Sequence, residues 1–235
     1  MVLDQELRII KPEDLVFIDE FAGMHPIKVD LVYSQAEHKD NIFIPTLYKA
    51  DARMLMHKEL LPIVLDAAEH CFKERKLLLE LKDCLRPLEA QEAMYVTDIV
   101  KANPHWVEEG PRKMLSSPGR GGHPRGMAVD IILIDENGDE IDMGTSFDYL
   151  GEDLENNPAA RNYTKFSDDQ SYNEMILDNR KFLTDAMLQA GKKFGREVWP
   201  LSNEWWDFRF LSDYTELFAP ISDKDLPPEM RMTKD

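Results

Sequence analysis

The hydrophobic and polar positions of this chain sort into short apolar runs and a few longer helical patterns. The densest run is Met127-Ala128-Val129-Asp130-Ile131-Ile132-Leu133-Ile134, apolar apart from one carboxylate, which predicts a buried strand. Asn137-Gly138 follows, a strong turn signal, so 127–134 is expected to pair antiparallel with 140–144. Segments 15–19, 29–33 and 77–84 read as further strands. Met54, Leu55, Leu61, Leu65, Ala68 and Phe72 recur near helical spacing and predict a helix capped by Asp51, with Pro62 kinking or restarting it and 73–76 as its solvated end. Leu85-Arg86-Pro87 ends the 77–84 strand, and Pro87 suits the first turn of a helix over 88–102. Ser171-Tyr172-Asn173-Glu174 has the form of a capping box. It opens an amphipathic helix with Tyr172, Met175, Ile176, Phe182, Leu183, Ala186 and Ala190 on one face, ended by Gly191. Segments 103–122 and 151–170 read as loops, and the tail after Tyr214 as a charged surface segment.

Composition narrows the function. At 235 residues the chain is long enough for one substantial domain, and no linker divides 1–235. A net charge of −17 argues against nucleic acid or an anionic membrane as partner, since both demand basic patches. It leaves a small zwitterionic substrate open. No stretch reaches membrane-spanning length and the start lacks a secretory pattern, so a cytoplasmic location is expected. Cys71 and Cys84 have no metal-type spacing and read as structural thiols.

The chemistry begins with Asp130. A carboxylate inside an apolar strand needs either hydrogen-bond donors or a cation beside it. His123, in the Gly/Pro-rich loop before the strand, is placed to share that cation. Arg86 sits at a strand-to-helix junction, where it either serves the site or pairs on the surface with Glu89 or Glu92. His105 and Trp106 lie in the 103–122 loop and could line a cleft entrance, but His105 has no partner spacing and reads rather as incidental. Segment 197–210 concentrates aromatics and carboxylates, as a dry cleft wall with shifted carboxylates would.

His-x-x-Gly-x-Ala-x-Asp, His123 to Asp130, resembles the zinc-binding signature of the D-alanyl-D-alanine dipeptidases, the family associated with vancomycin resistance. Three further segments resemble the family in the same order: Asp83-x-x-Arg86-Pro87, Met143-Gly144-x-x-Phe147-Asp148, and Glu204-Trp205-Trp206. The resemblance implies an α+β fold: a small, mostly antiparallel sheet with helices packed on one side. It implies one zinc ion per chain held by His123 and Asp130, and Glu204 as the general base for water. Arg86 would face the scissile carbonyl as an oxyanion stabiliser, and Tyr33 with Asp148 would bind the ammonium of a small D-amino-acid dipeptide. Without the resemblance, Tyr33 reads as a core or rim aromatic and Asp148 as a turn cap.

The pattern departs from the family at two positions. Asp207 stands where the family motif Glu-Trp-Trp-His has its third metal ligand, and Gly121 stands where relatives usually carry serine. Carboxylates ligate zinc, so the expected set is His123, Asp130 and Asp207. Its two negative charges make a weaker Lewis acid, and its oxygens tilt preference towards manganese or iron(II). Three readings follow: an active dipeptidase, a peptidase-fold protein that binds peptide without cleaving it, and a hydrolase with a changed metal and peptide bond. Retention of Glu204, Arg86 and Asp148 argues for an enzyme.

Overall fold

The run around Asp130 forms strand β5 (Ala128–Ile134), and every residue of it is buried. A strand covered on both faces needs no polar alternation, which is why its sequence reads as continuous apolar chain. The computed structural model, which describes residues 6–110, 113–151, 153 and 156–234, sets β5 at the centre of a five-stranded sheet. The order is β2 (Ile27–Val29), β4 (Leu78–Asp83), β5, β7 (Asp207–Phe210) and β6 (Val198–Pro200). β2 pairs parallel with β4, and the other pairings are antiparallel. Helices α1 (Leu61–Arg75) and α4 (Gln170–Lys193) pack on each other, α1 against β4 and α4 against β6. The class is α+β, as expected.

Several local expectations are corrected. Segment 51–60 is not helical: Leu55–His57 is β3, paired antiparallel with β1 (Leu15–Phe17). Met54, Leu55 and Met56 are all buried, and a short buried run looks the same in a helix and in a strand. Pro62 neither kinks nor restarts a helix but lies in the first turn of α1, where its missing N–H costs nothing. Segment 29–33 leaves β2 at Val29 and turns into a single 3-10 turn, Val32–Ser34. The helix expected over 88–102 divides into α2 (Leu88–Tyr95) and α3 (Asp98–Ala102), and the Thr97 hydroxyl at the break donates to Met94 O at 2.8 Å.

α4 is capped by Asp169, whose carboxylate accepts from Ser171 N and Tyr172 N, so the Ser171 box is not the start. It runs past Gly191. A Cβ on Gly191 would lie 2.7 Å from Val198 Cγ2, so this glycine lets β6 approach rather than ending the helix. The Asn137-Gly138 turn forms, but 140–144 contributes only one bridge, Ile134↔Glu140. β5 is held along its length by β4 and β7 instead. The tail is not a surface segment either: Ile221, Leu226, Met230 and Met232 are buried, and Ile221 N donates to Pro124 O at 2.7 Å beside the His123 loop. No helix among the described residues is long and apolar enough to cross a membrane.

Candidate active site

Three aspartates lie side by side across the middle of the sheet. The register sets Asp83 of β4 opposite Asp130 of β5, and Asp130 opposite Asp207 of β7. The first pairing depends on an irregularity between Leu81 and Asp83, where β4 carries one residue more than its partner. Bulges of this kind re-aim side chains beside functional sites. Like charges directly opposite one another are unfavourable, and all three side chains are buried, so the row requires cations.

Each aspartate has one. Arg86 Nε donates to Asp83 Oδ2 at 2.8 Å, and its Nη2 lies 3.6 Å from Asp130 Oδ2. Asp83 Oδ1 accepts from the Tyr48 hydroxyl at 2.8 Å. Arg209, two residues along β7 from Asp207 and therefore on the same face, engages both Asp207 oxygens through Nε and Nη2. His123 lies between Asp130 and Asp207. The partners of Arg86 are thus Asp83 and Asp130, not Glu89 or Glu92; Glu89 accepts from Ser222 Oγ and Asp223 N.

His123 is aimed by its loop. It opens a 3-10 turn, His123–Arg125, behind Gly122. A Cβ on Gly122 would sit 2.8 Å from Ala128 Cβ and 3.0 Å from Met127 O, so only glycine lets the loop fold back on β5. The ring Nδ1 donates to Cys84 O at 2.7 Å, which leaves Nε2 facing Asp207 Oδ2 at 3.3 Å and Asp130 Oδ1 at 3.5 Å. Arg86 N donates to His123 O at 3.0 Å, so the loop is tied to the end of β4 from both sides.

Two edges of this donor set suit a divalent cation: His123 Nε2 to Asp130 Oδ1 and His123 Nε2 to Asp207 Oδ2. Ligand bonds of the length usual for zinc put the corners of a tetrahedron about 3.3–3.5 Å apart, which matches the two separations from Nε2. Asp130 Oδ1 is buried and makes no hydrogen bond among the described residues, an acceptor still open. An Nδ1–H spent on a backbone carbonyl is the usual way of presenting Nε2 to a metal. Asp83, His123 and Asp130 also offer ligand atoms within 4.8 Å of one another. Asp83, however, has one oxygen on Tyr48 and the other on Arg86, and the ring nitrogen nearer to it is Nδ1. Asp207 likewise has both oxygens on Arg209, so neither carboxylate is a free third donor, and the group whose ligand atoms lie together is Asp83, His123 and Asp130.

The charges are tuned by this crowding. Burial opposes a positive His123 ring, but Asp130 and Asp207 overcome it and raise the ring to about 10. The same pull would act on a cation at Nε2. Burial also raises Asp130, against the lowering effect of His123. Burial likewise works against the Asp207 anion, but Arg209 and His123 hold it well below the usual carboxylate range.

Around the row stand the other expected residues. Glu204, in the turn between β6 and β7, makes no side-chain hydrogen bond among the described residues. Burial, then repulsion from Asp207 and Asp130, raises its carboxyl to about 8. The buried Tyr33 donates to Asp148 Oδ2 at 2.5 Å, and the Arg86 guanidinium lies 5.3 Å from the Tyr33 ring centre. Burial pushes Asp148 up to about 7, with the Tyr33 bond opposing it. Tyr33, Arg86, His123, Asp130, Asp148, Glu204 and Asp207 all line one cavity of about 70 Å³. His105 and Trp106 do not line it, and both cysteines are buried thiols.

Two supporting residues escaped the sequence reading. Arg209 was within reach, because period two puts it on the face of Asp207 once 207–210 is read as a strand. Arg161 was not: it comes from the 151–170 loop to donate to Asp207 O and Leu201 O, both at 2.9 Å, and nothing local marks it.

The family model of the D-ala-D-ala dipeptidases, peptidase family M15, matches residues 13–216, and the chain belongs to this peptidase family. The D-alanyl-D-alanine dipeptidase of Escherichia coli (strain K12) is 26% identical over 185 residues, covering 77% of this chain and 78% of the relative. Among solved structures, the Serratia marcescens L-Ala D-Glu endopeptidase ChiX is 16% identical, with a TM-score of 0.37, over 68% of this chain and 84% of that one. The vancomycin resistance D,D-dipeptidase VanXYg, in complex with a D-Ala-D-Ala phosphinate analog, is 17% identical with a TM-score of 0.38. That match covers 70% of this chain and 54% of the other.

Proposed function

We propose that this chain is a metal-dependent dipeptidase that hydrolyses D-Ala-D-Ala or a related small peptide of peptidoglycan origin. The observation that carries the reading is His123 Nε2 between Asp130 Oδ1 and Asp207 Oδ2, with Glu204 and Arg86 lining the same cavity. His123, Asp130 and Asp207 would hold the ion, zinc by family precedent, with manganese or iron(II) favoured by the two carboxylates. When bound it supplies a Lewis acid for the scissile carbonyl.

The chain's own groups do the rest. Tyr33 and Asp148 receive the substrate ammonium, which fixes the amino end and fits a dipeptide rather than a long chain. Glu204 takes a proton from the attacking water and passes it to the leaving amine; a carboxyl near neutrality suits both transfers. Arg86, held rigid by Asp83, places a fixed positive charge for the oxyanion of the tetrahedral intermediate. Glu204→Gln should abolish D-Ala-D-Ala turnover, a loss of roughly 100-fold or more, while the bound ion remains.

A second reading, peptide binding without turnover, is favoured by one feature: Arg209 engages both oxygens of Asp207. Calorimetric binding of D-Ala-D-Ala by the wild type with no release of free D-alanine would support that reading over the first.

A further inference from the structure

Asp207 and Arg209 form a closed unit. The Arg209 side chain is 13% exposed and that of Asp207 1%. The guanidinium spends Nε and Nη2 on Asp207, and Nη1 makes no hydrogen bond among the described residues. The side chain has no other hydrogen-bonded partner there, so it is not a strut between elements. Across the strand pair its register partner is Ala128, whose small side chain leaves room for the guanidinium above β5.

The pair is neutral. A carboxylate alone at position 207 would bring the donor set of His123, Asp130 and Asp207 to two negative charges. With the guanidinium on it, the set carries one, as it would with a neutral imidazole in place of Asp207. Asp207 Oδ2, which also accepts from Arg209 Nη2, still faces His123: it lies 3.3 Å from Nε2. Each carboxylate oxygen has two lone pairs, so one donor on Oδ2 does not exhaust it.

We infer that Arg209 compensates charge at the metal site, and that the Asp207–Arg209 pair replaces a histidine ligand in charge as well as in place. This rests on the reading of His123, Asp130 and Asp207 as the metal donors. Arg209 then lowers the affinity of the site for a divalent cation, because it keeps a fixed positive charge beside the ion, and it preserves the electron-poor character that two free carboxylates would remove.

The sign of one measurement decides between this and a plain structural role. Zinc affinity is determined by competition with a chromogenic chelator, for the full chain and for Arg209→Gln and Arg209→Lys. Glutamine keeps a donor to Asp207 and removes the charge; lysine keeps the charge. The inference expects Arg209→Gln to bind zinc about tenfold more tightly than wild type, from loss of one like charge near the ion, with Arg209→Lys close to wild type. Equal or weaker binding by Arg209→Gln, as expected if arginine merely holds Asp207 in place, overturns it. Should the glutamine variant fail to fold, Arg209→Met removes charge and donor together: tighter zinc binding than wild type supports the inference, and equal or weaker binding overturns it. If neither wild type nor any variant binds zinc or manganese, the metal reading itself falls, and this inference with it.

Discussion

Asp148 carries a φ of 54°, a left-handed conformation that, after glycine, asparagine and aspartate tolerate best. Its buried carboxyl titrates near 7, above its usual value, so the folded protein binds the proton more tightly than the unfolded chain does. Its contribution to stability is therefore fully present below about pH 4 and is lost as pH rises through 7. Asp148→Asn keeps the backbone fit and removes the buried charge. Thermal unfolding should show it more stable than wild type by on the order of 2 kcal/mol at pH 8, with the gain fading towards pH 5. The same variant should raise KM for dipeptides with a free amino group. At this scale the sequence was legible: the seven residues expected from short motifs meet in one cavity. What it hid were partners, because nothing in Asp83 or Arg209 as residue types says which neighbour they neutralise.

Elements hold those residues in place through close approaches. The turn from the His123 loop into β5 depends on Gly122, which has an ordinary φ of −80° and is excluded from growing only by contact. Gly122→Ala should therefore destabilise the fold by roughly 1–3 kcal/mol through overpacking, and the shifted loop should lose metal affinity along with stability. Urea unfolding paired with a zinc titration checks both; unchanged stability would show that the loop can retreat from Ala128. Periodicity marks a helix well where the pattern is long, as in α4, and misleads where it is short, as at β3. Met54-Leu55-Met56 is buried on all sides, and burial rather than helix or strand geometry wrote its sequence.

The arrangement of the whole sheet makes the site. Asp83, Asp130 and Asp207 come from strands far apart in sequence and meet because β4 and β7 flank β5 in a particular register. The Asn137-Gly138 turn suggested a local hairpin with 140–144 as the partner of β5, yet the long-range pairings won, with more of β5 paired along them. Order along the chain cannot reveal such a row, and neither can composition. The net charge of −17 sums the whole chain and leaves unsaid that the site carries Arg86 and Arg209 among its carboxylates.

The most direct test of the account is the metal content of the protein, purified without chelator, exposed to zinc or manganese and then desalted. The account predicts close to one ion per chain by elemental analysis, with His123→Ala and Asp207→Ala retaining little of it. An absence of bound ion in the wild type after such loading would contradict it. So would full occupancy in Asp207→Ala, which would remove Asp207 from the donor set.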